Sequence, residues 1–410
     1  MWTRFFLFAY TLKDAIALVI GDFPIRLSEF VLYLSSARGF AFKNLKINKI
    51  HFFILSILLL NGILVFIGSS SSDVDIPFYT KYLLRNFLMF CFILSVSLVP
   101  YQITYKQWFQ LAKTIVVVNI LFSIPNFFGY NIVFSGFEEY RMNDMFGLPR
   151  LRGTASEPAY MIPMLAFPLF IFDKSNEKGS KIYLYLTLLL MALTISSFGF
   201  AVIIIYLGLK TYEILDLRYK FTQNRLFVIT LFISILLTFF VYFMGKIGTQ
   251  LYDYTSDKMI GFLQGEATDF SSKARLTNYN ACINRFNDGN FKVKLLGYGT
   301  GAYYKFIQGD VKGVLEEASE AHNLYLSTLH DRGILGLALL VLIFILIFSI
   351  QSLPNTNDTV YQAIRFGILI QFIHWFLTGN VWLYYFWAQV AFLFSITSNK
   401  NEDTSNREIL

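Results

Sequence analysis

Apolar runs of roughly 20 residues recur from one end of the chain to the other, separated by short polar stretches. They centre near 5–20, 24–40, 50–68, 82–99, 110–128, 156–172, 182–196, 198–212, 225–245, 333–351, 361–378 and 381–396. Continuous runs of this length predict helices. The strands of a membrane barrel would instead alternate over about ten residues. The pattern therefore predicts an all-α, polytopic membrane protein of about 12 transmembrane helices. The first two runs are the weakest, because Lys13-Asp14 interrupts the apolar start and no small-residue cleavage site follows. The stretch is read as a retained first helix. The pair divided at Ile195-Ser196-Ser197 is read as two helices, with one long helix as the alternative.

Composition agrees with a membrane chain. Of the 410 residues, 55% are hydrophobic and 15% charged. Soluble domains carry roughly 25% charged residues. The excess of Lys and Arg gives a net charge of +7, and its placement sets a topology. Arg38, Lys43, Lys46, Lys49, Lys106, Lys174, Lys178, Lys181, Lys210, Arg218, Lys220 and Arg225 all fall in loops on one side. By the positive-inside rule that side is cytoplasmic, with both termini on it. The other side receives two large loops, 129–155 and 246–332. The second is far longer than ordinary connections and rich in Gly and Tyr, which predicts a folded, functional segment. The expected organisation is 1–245 for the N-terminal helices with the outer loop 129–155, 246–332 for the large outer loop, 333–396 for the C-terminal helices, and 397–410 for a cytoplasmic tail. Cys91 lies in an apolar run and Cys282 in a polar loop, so no disulfide is expected.

Candidate chemistry gathers on the outer side. Arg141, Arg150, Arg152, Arg275, Arg285 and Arg332 run against the positive-inside bias. They fit either salt bridges to nearby acids or an anion site, where guanidinium forks grip phosphate oxygens. Glu157-Pro158 suits a helix start, and the acid is also a candidate for sugar hydroxyls. His322 is a candidate general base near neutral pH. His322-Asn323 would equally cap the helix that follows. Tyr298 and Tyr303 are candidates for stacking on sugar rings or for anchoring at the membrane edge. His374 lies in a predicted span, where an ionisable residue is a functional candidate. His51 is read as a helix-end residue. Asp73-x-Asp75 is the weak alternative of a divalent-metal pair; otherwise no metal-ligand spacing, nucleophile elbow or P-loop occurs.

Three stretches, in order, carry a family resemblance. They are "RLRGTASEPAYMIPML", "ARLTNYNACINRF" with "LLGYGTGAYY", and "AHNLYLSTLHDRGILGLALL". Together they resemble the O-antigen polymerase and O-antigen ligase superfamily of bacterial membrane glycosyltransferases. The shared positions are Arg150 and Gly153, then Arg275, Leu276 and Gly297-Tyr298-Gly299, then His322-Asn323, Tyr325-Leu326, Gly333 and Gly336. The resemblance covers roughly 140–350. It implies a GT-C-like enzyme of the inner membrane, working on the periplasmic face on undecaprenyl-pyrophosphate-linked oligosaccharide. It also implies no metal, no other cofactor and no nucleic-acid partner. Membrane lipids surround such an enzyme, and a chain-length regulator or flippase accompanies it. Carried over, Arg150 and Arg275 bind the pyrophosphate with Arg152 beside them, and His322 activates the acceptor. Glu157 is the second catalytic candidate beside His322, and Asn323, Tyr298 and Tyr303 complete the expected substrate-binding site. Glu157-Pro158 leans the reading toward a polymerase of surface polysaccharide. The alternatives are a ligase that moves polymer to lipid A-core and a polysaccharide or lipid transporter.

Overall fold

A computed structural model of the chain describes residues 7, 10–12, 15–20, 23–36, 47–68, 76–100, 103–128, 150–155, 157–215, 270–306, 323–350, 358–376 and 384–398. The span expected at 225–245 and the Asp73-x-Asp75 pair lie outside these residues, as does the tail.

The N-terminal expectation is corrected. The run 5–20 is not one helix. Its end is strand β1 (Ala17–Ile20), paired antiparallel with β2 (Phe23–Arg26) in the register Ala17↔Arg26 to Ile20↔Phe23. Among the described residues the chain is thus nearly all helical, with this one hairpin. Only two residues of sequence separate the paired ends. Within the second run the described residues form helix α1 (Leu27–Ser36), ten residues where a bilayer span needs about 20.

The run expected at 333–351 starts nine residues earlier, at Leu324, inside the expected loop 246–332. The other described runs become helices close to where the pattern puts them. They are α2 (Lys49–Gly68), α3 (Ile76–Leu98), α4 (Tyr105–Phe127), α5 (Pro158–Lys174), α6 (Ser180–Leu193) and α7 (Ser197–Leu215). The segment 270–306 contributes α8 (Phe270–Asp288), α9 (Phe291–Leu296) and α10 (Ala302–Phe306). Then come α11 (Leu324–Ser349), α12 (Asp358–His374) and α13 (Tyr384–Ser398). Three of them, α2, α4 and α11, are long and apolar enough to cross a membrane. Shorter apolar helices cover Leu83–Leu98, Ser180–Leu193, Phe198–Thr211 and Tyr385–Thr397.

Local chemistry sets the helix ends. Thr104 and Gln107 form a capping box at the start of α4, with Gln107 Oε1 accepting from Thr104 N at 2.8 Å. Pro158 opens α5 at a position where no backbone N–H is needed. The α6/α7 pair is two helices, not one. Ile195 sits at φ 45°, and Ser196 Oγ accepts from Gly199 N at 2.9 Å to start α7.

At the centre is α5. From Met161 to Phe172 every residue but Phe170 is buried, which suits a helix that is apolar all round. It packs on α12, α6, α4 and α7. Outward, Phe52, Phe53 and Phe66 of α2 and Ile182 and Tyr185 of α6 are each more than half exposed. Apolar side chains exposed in this way suit lipid contact.

The bundle has two unlike ends. At one, Lys210 pairs with Asp173, and Lys181 Nζ donates to the Asp173 carbonyl at 3.4 Å. Tyr105 donates to Ser175 Oγ at 2.8 Å, and His51 stacks on Phe394 at 3.7 Å. His51 is thus a helix-end residue, as the sequence suggests. This end joins the starts of α2, α4 and α6 to the ends of α5, α7 and α13. At the other end the start of α5 meets the end of α12 and the start of α7. Here His374 lies edge-on to Tyr160 at 5.2 Å and against Phe198 at 4.9 Å.

Candidate functional site

The second end carries Arg150, Arg152, Glu157 and Asn323 of the residues singled out in the sequence. The segment 150–155 is held by the break between α6 and α7. Leu151 N donates to Leu193 O at 3.0 Å, and Arg150 Nε to Thr194 O at 3.3 Å. These are the carbonyls that a helix end leaves open. Next, Gly153 turns at φ 55° with Asn119 and Met161 where a Cβ would stand. Asn119 Oδ1 accepts from Thr154 N at 3.0 Å, fixing the turn to α4. Arg152 is buried, while Arg150 and Glu157 are half-buried. Glu157 is the N-cap of α5 in extended backbone, but its side chain makes no capping hydrogen bond. The segment therefore places two arginines and one carboxylate within eight consecutive residues, at the α5 entrance.

Beside it, α11 starts. Its N-cap is Asn323, whose Oδ1 accepts from Tyr325 N at 3.0 Å and Leu326 N at 3.1 Å. The cap alternative thus belongs to Asn323, with its oxygen already engaged. His322 precedes it but lies outside the described residues. Arg275 lies on α8, four residues before Tyr279; only its place on the helix is described.

The segment 295–303 closes on α11 where that helix kinks, at Gly333 (φ 66°, ψ −166°). There Tyr298 N donates to His330 O at 2.9 Å and Gly299 N to Asp331 O at 3.0 Å. Gly297 and Gly333 face each other. A Cβ on either would run into the other strand's backbone. The two glycine motifs of the sequence thus form one contact.

His330 and Asp331, which the sequence reading passed over, organise this contact. Asp331 Oδ2 accepts from Gly301 N and Oδ1 from Tyr303 N, both at 2.9 Å. His330 Nδ1 lies 3.0 Å from Asp331 Oδ1. The imidazole is fully buried, stacked on Tyr298 at 4.8 Å and edge-on to Tyr303 at 5.2 Å. The Arg285 guanidinium covers Tyr298 at 4.5 Å and Phe306 at 4.3 Å. Such a carboxylate gathers backbone donors that would otherwise be buried unpaired. Enclosed as it is, His330 shapes the loop. The signal for it was the acid two residues before Gly333, opposite a glycine-rich loop.

Two expected sugar platforms belong to that interior. Tyr303 is 4% exposed, and its hydroxyl donates to Asn278 O at 3.0 Å. Burial pushes its phenol well above the ordinary range. Tyr298 is half-buried and donates to Arg285 O at 2.7 Å. Both rings pack on His330, so here they build the loop.

Cys282 lies in the same interior. Both cysteines are free thiols. Burial first, then the Asp331 carboxylate, pushes the Cys282 thiol up to about 12, with Arg285 opposing. Its neutral form therefore stabilises the fold fully below the unfolded thiol value of roughly 8.5, and that contribution fades as pH rises toward about 12. Maleimide at pH 8 is expected to leave Cys282 unlabelled in the folded protein and to label it after denaturation. Rapid native labelling, read by mass spectrometry of the peptide, would contradict the burial.

No group of three or more His, Cys, Asp or Glu that could hold a metal occurs among the described residues. Residues 182–341 match the family model described as O-antigen ligase. The match supports the O-antigen ligase and polymerase superfamily. No curated protein matches the chain. The matched stretch runs from α6 into α11 and includes Arg275, Tyr298, Tyr303, His322, Asn323 and Asp331. Arg150, Arg152, Glu157 and all of α12 lie outside it. The family covers membrane enzymes of the O-antigen ligase and polymerase kind, which implies lipid-linked polysaccharide substrates.

Proposed function

We propose that the protein is a membrane glycosyltransferase that polymerises lipid-linked oligosaccharide repeats. The donor is a glycan on undecaprenyl pyrophosphate and the acceptor is a second lipid-linked repeat. The observation that carries the transferase reading is the family match over the segment that folds onto α11 at Gly333, and the lean toward a polymerase rests on Glu157-Pro158 at the start of α5. The Lys-bearing end of the bundle is cytoplasmic, which puts the arginine-bearing end on the periplasmic face.

The transfer needs a base on one side and charge stabilisation on the other. An acceptor hydroxyl oxygen attacks the anomeric carbon, and its proton passes to His322. The bond from that carbon to the pyrophosphate breaks, and the electron pair leaves with the lipid pyrophosphate. Arg150, Arg152 and Arg275 take up that charge. Glu157, at the mouth of α5, holds sugar hydroxyls.

Membranes holding the protein, given lipid-linked repeats as both donor and acceptor, are expected to make a ladder of polymers. A ligase is the second reading, favoured by the description of the matching family. It predicts no ladder but transfer of preformed polymer to lipid A-core. Export of an unaltered lipid-linked glycan would sink both in favour of transport. Arg150→Lys and Arg275→Lys keep the charge and lose the two-pronged grip. Each is expected to slow transfer roughly 10- to 100-fold, the worth of one strong charge-assisted hydrogen bond. Full activity in both would remove the arginines from the pyrophosphate site.

A further inference from the structure

The last turn of α12 and the two residues after it, 371–376, accept hydrogen bonds from outside their own helix. Tyr325 Oη donates to Phe372 O at 2.8 Å. Leu324 N donates to Trp375 O at 2.9 Å. Tyr279 Oη donates to Phe376 O at 3.0 Å. A helix end leaves such carbonyls without intrahelical donors. Here α8 and the start of α11 supply the donors. Rings add to the hold, with Tyr325 at 4.4 Å from Phe376.

Each donor stands beside a residue of the proposed site. Tyr279 is one helical turn after Arg275, and Leu324 is two residues after His322. The same turn carries His374, whose ring meets Tyr160, three residues after Glu157. The three sequence stretches that bear the candidate chemistry thus all touch 371–376, which lies outside the family match.

We propose that this turn is the positioning element of the transfer site, and that Tyr279, Tyr325 and His374 are positioning residues. The proposal rests on the function above. Through these contacts the turn holds α8 at Tyr279, the first turn of α11 and the start of α5 at Tyr160 in one register. Transfer between held groups is sensitive to shifts of about 1 Å, which cost on the order of 100-fold.

The test uses the full chain in detergent or membranes. Tyr279→Phe with Tyr325→Phe removes two hydroxyls and keeps both rings. The double variant is expected to lose about 10- to 100-fold in kcat, with KM for the lipid-linked repeat and the melting temperature little changed. Tyr185→Phe, on the exposed face of α6, is the control and leaves the rate alone. Unchanged kcat overturns the proposal. So does a parallel loss of kcat, KM and melting temperature, which would mark a purely structural bond. Hydrogen exchange separates this failure from that of the function. If the unmodified chain transfers no glycan, the function falls, yet the double variant must still loosen the amides of 275–279 and 323–326 together. Unchanged exchange there overturns the tether itself.

Discussion

Replacing His322 with Ala is expected to lower glycan transfer by roughly 100- to 10,000-fold, the range for loss of a general base. Cells relying on that variant should show single-repeat glycans where the unmodified protein gives a ladder, at equal membrane abundance. A ligase would instead leave lipid-linked polymer with nothing on lipid A. The structure sharpens this test. The helix after His322 is capped by the Asn323 oxygen, at 3.0 Å from Tyr325 N and 3.1 Å from Leu326 N. Loss of His322 therefore leaves the cap in place, and a fall in rate cannot be blamed on an uncapped α11. His322→Asn, which offers a hydrogen-bonding amide but no base, should fail as badly as His322→Ala. Wild-type ladders from either variant would sink the assignment.

The largest expected effect on folding is at Gly333. A methyl group at φ 66° would strain the backbone and meet the Leu295 carbonyl, with Gly297 N at 2.7 Å. Backbone atoms on both sides leave little room to yield. Gly333→Ala is expected to cost about 2–4 kcal/mol, combining strained dihedrals with overpacking. Thermal melting of the detergent-solubilised protein reads this, against Gly62→Ala in α2, where a Cβ meets nothing within 4 Å. The control is expected to melt no lower than the unmodified chain, since Ala favours a helix over Gly. If the two variants melt alike, the close contact between α11 and the 297–299 turn is not holding the outer segment.

The long apolar runs were legible because burial and lipid exposure both leave a continuous hydrophobic signal. The run at 50–68 became Lys49–Gly68, and that at 156–172 became Pro158–Lys174. The hairpin at 17–26 was not, because four-residue apolar strands cannot be told from helix by periodicity. Gly21-Asp22 was the available clue. Around the site, Arg150, Gly153, Gly297 and Gly333 were visible as motif positions, but their meeting was not. Gly297 and Gly333 touch across 36 residues of sequence, and no local pattern encodes that contact. His330 and Asp331 were overlooked for the same reason: their partners Gly301 and Tyr303 lie about 30 residues upstream. That Tyr303 turns inward was not legible, because an aromatic in a Gly-rich loop carries no mark of which side it buries.

The enclosed position of α5 also bears on how the molecule is made. Its main companion, α12, is synthesised 200 residues after it, at 358–374 against 158–174. Until then the face of α5 that α12 will cover has no such cover, and neither does the arginine-bearing segment at its head. The middle of the chain must wait for its tail, so the site is among the last parts of the protein to exist. Pairing over such a separation is slow, and it leaves the unfinished chain open to wrong partners. A nascent chain cut short before residue 358 carries the family-matched segment complete and still has no finished site.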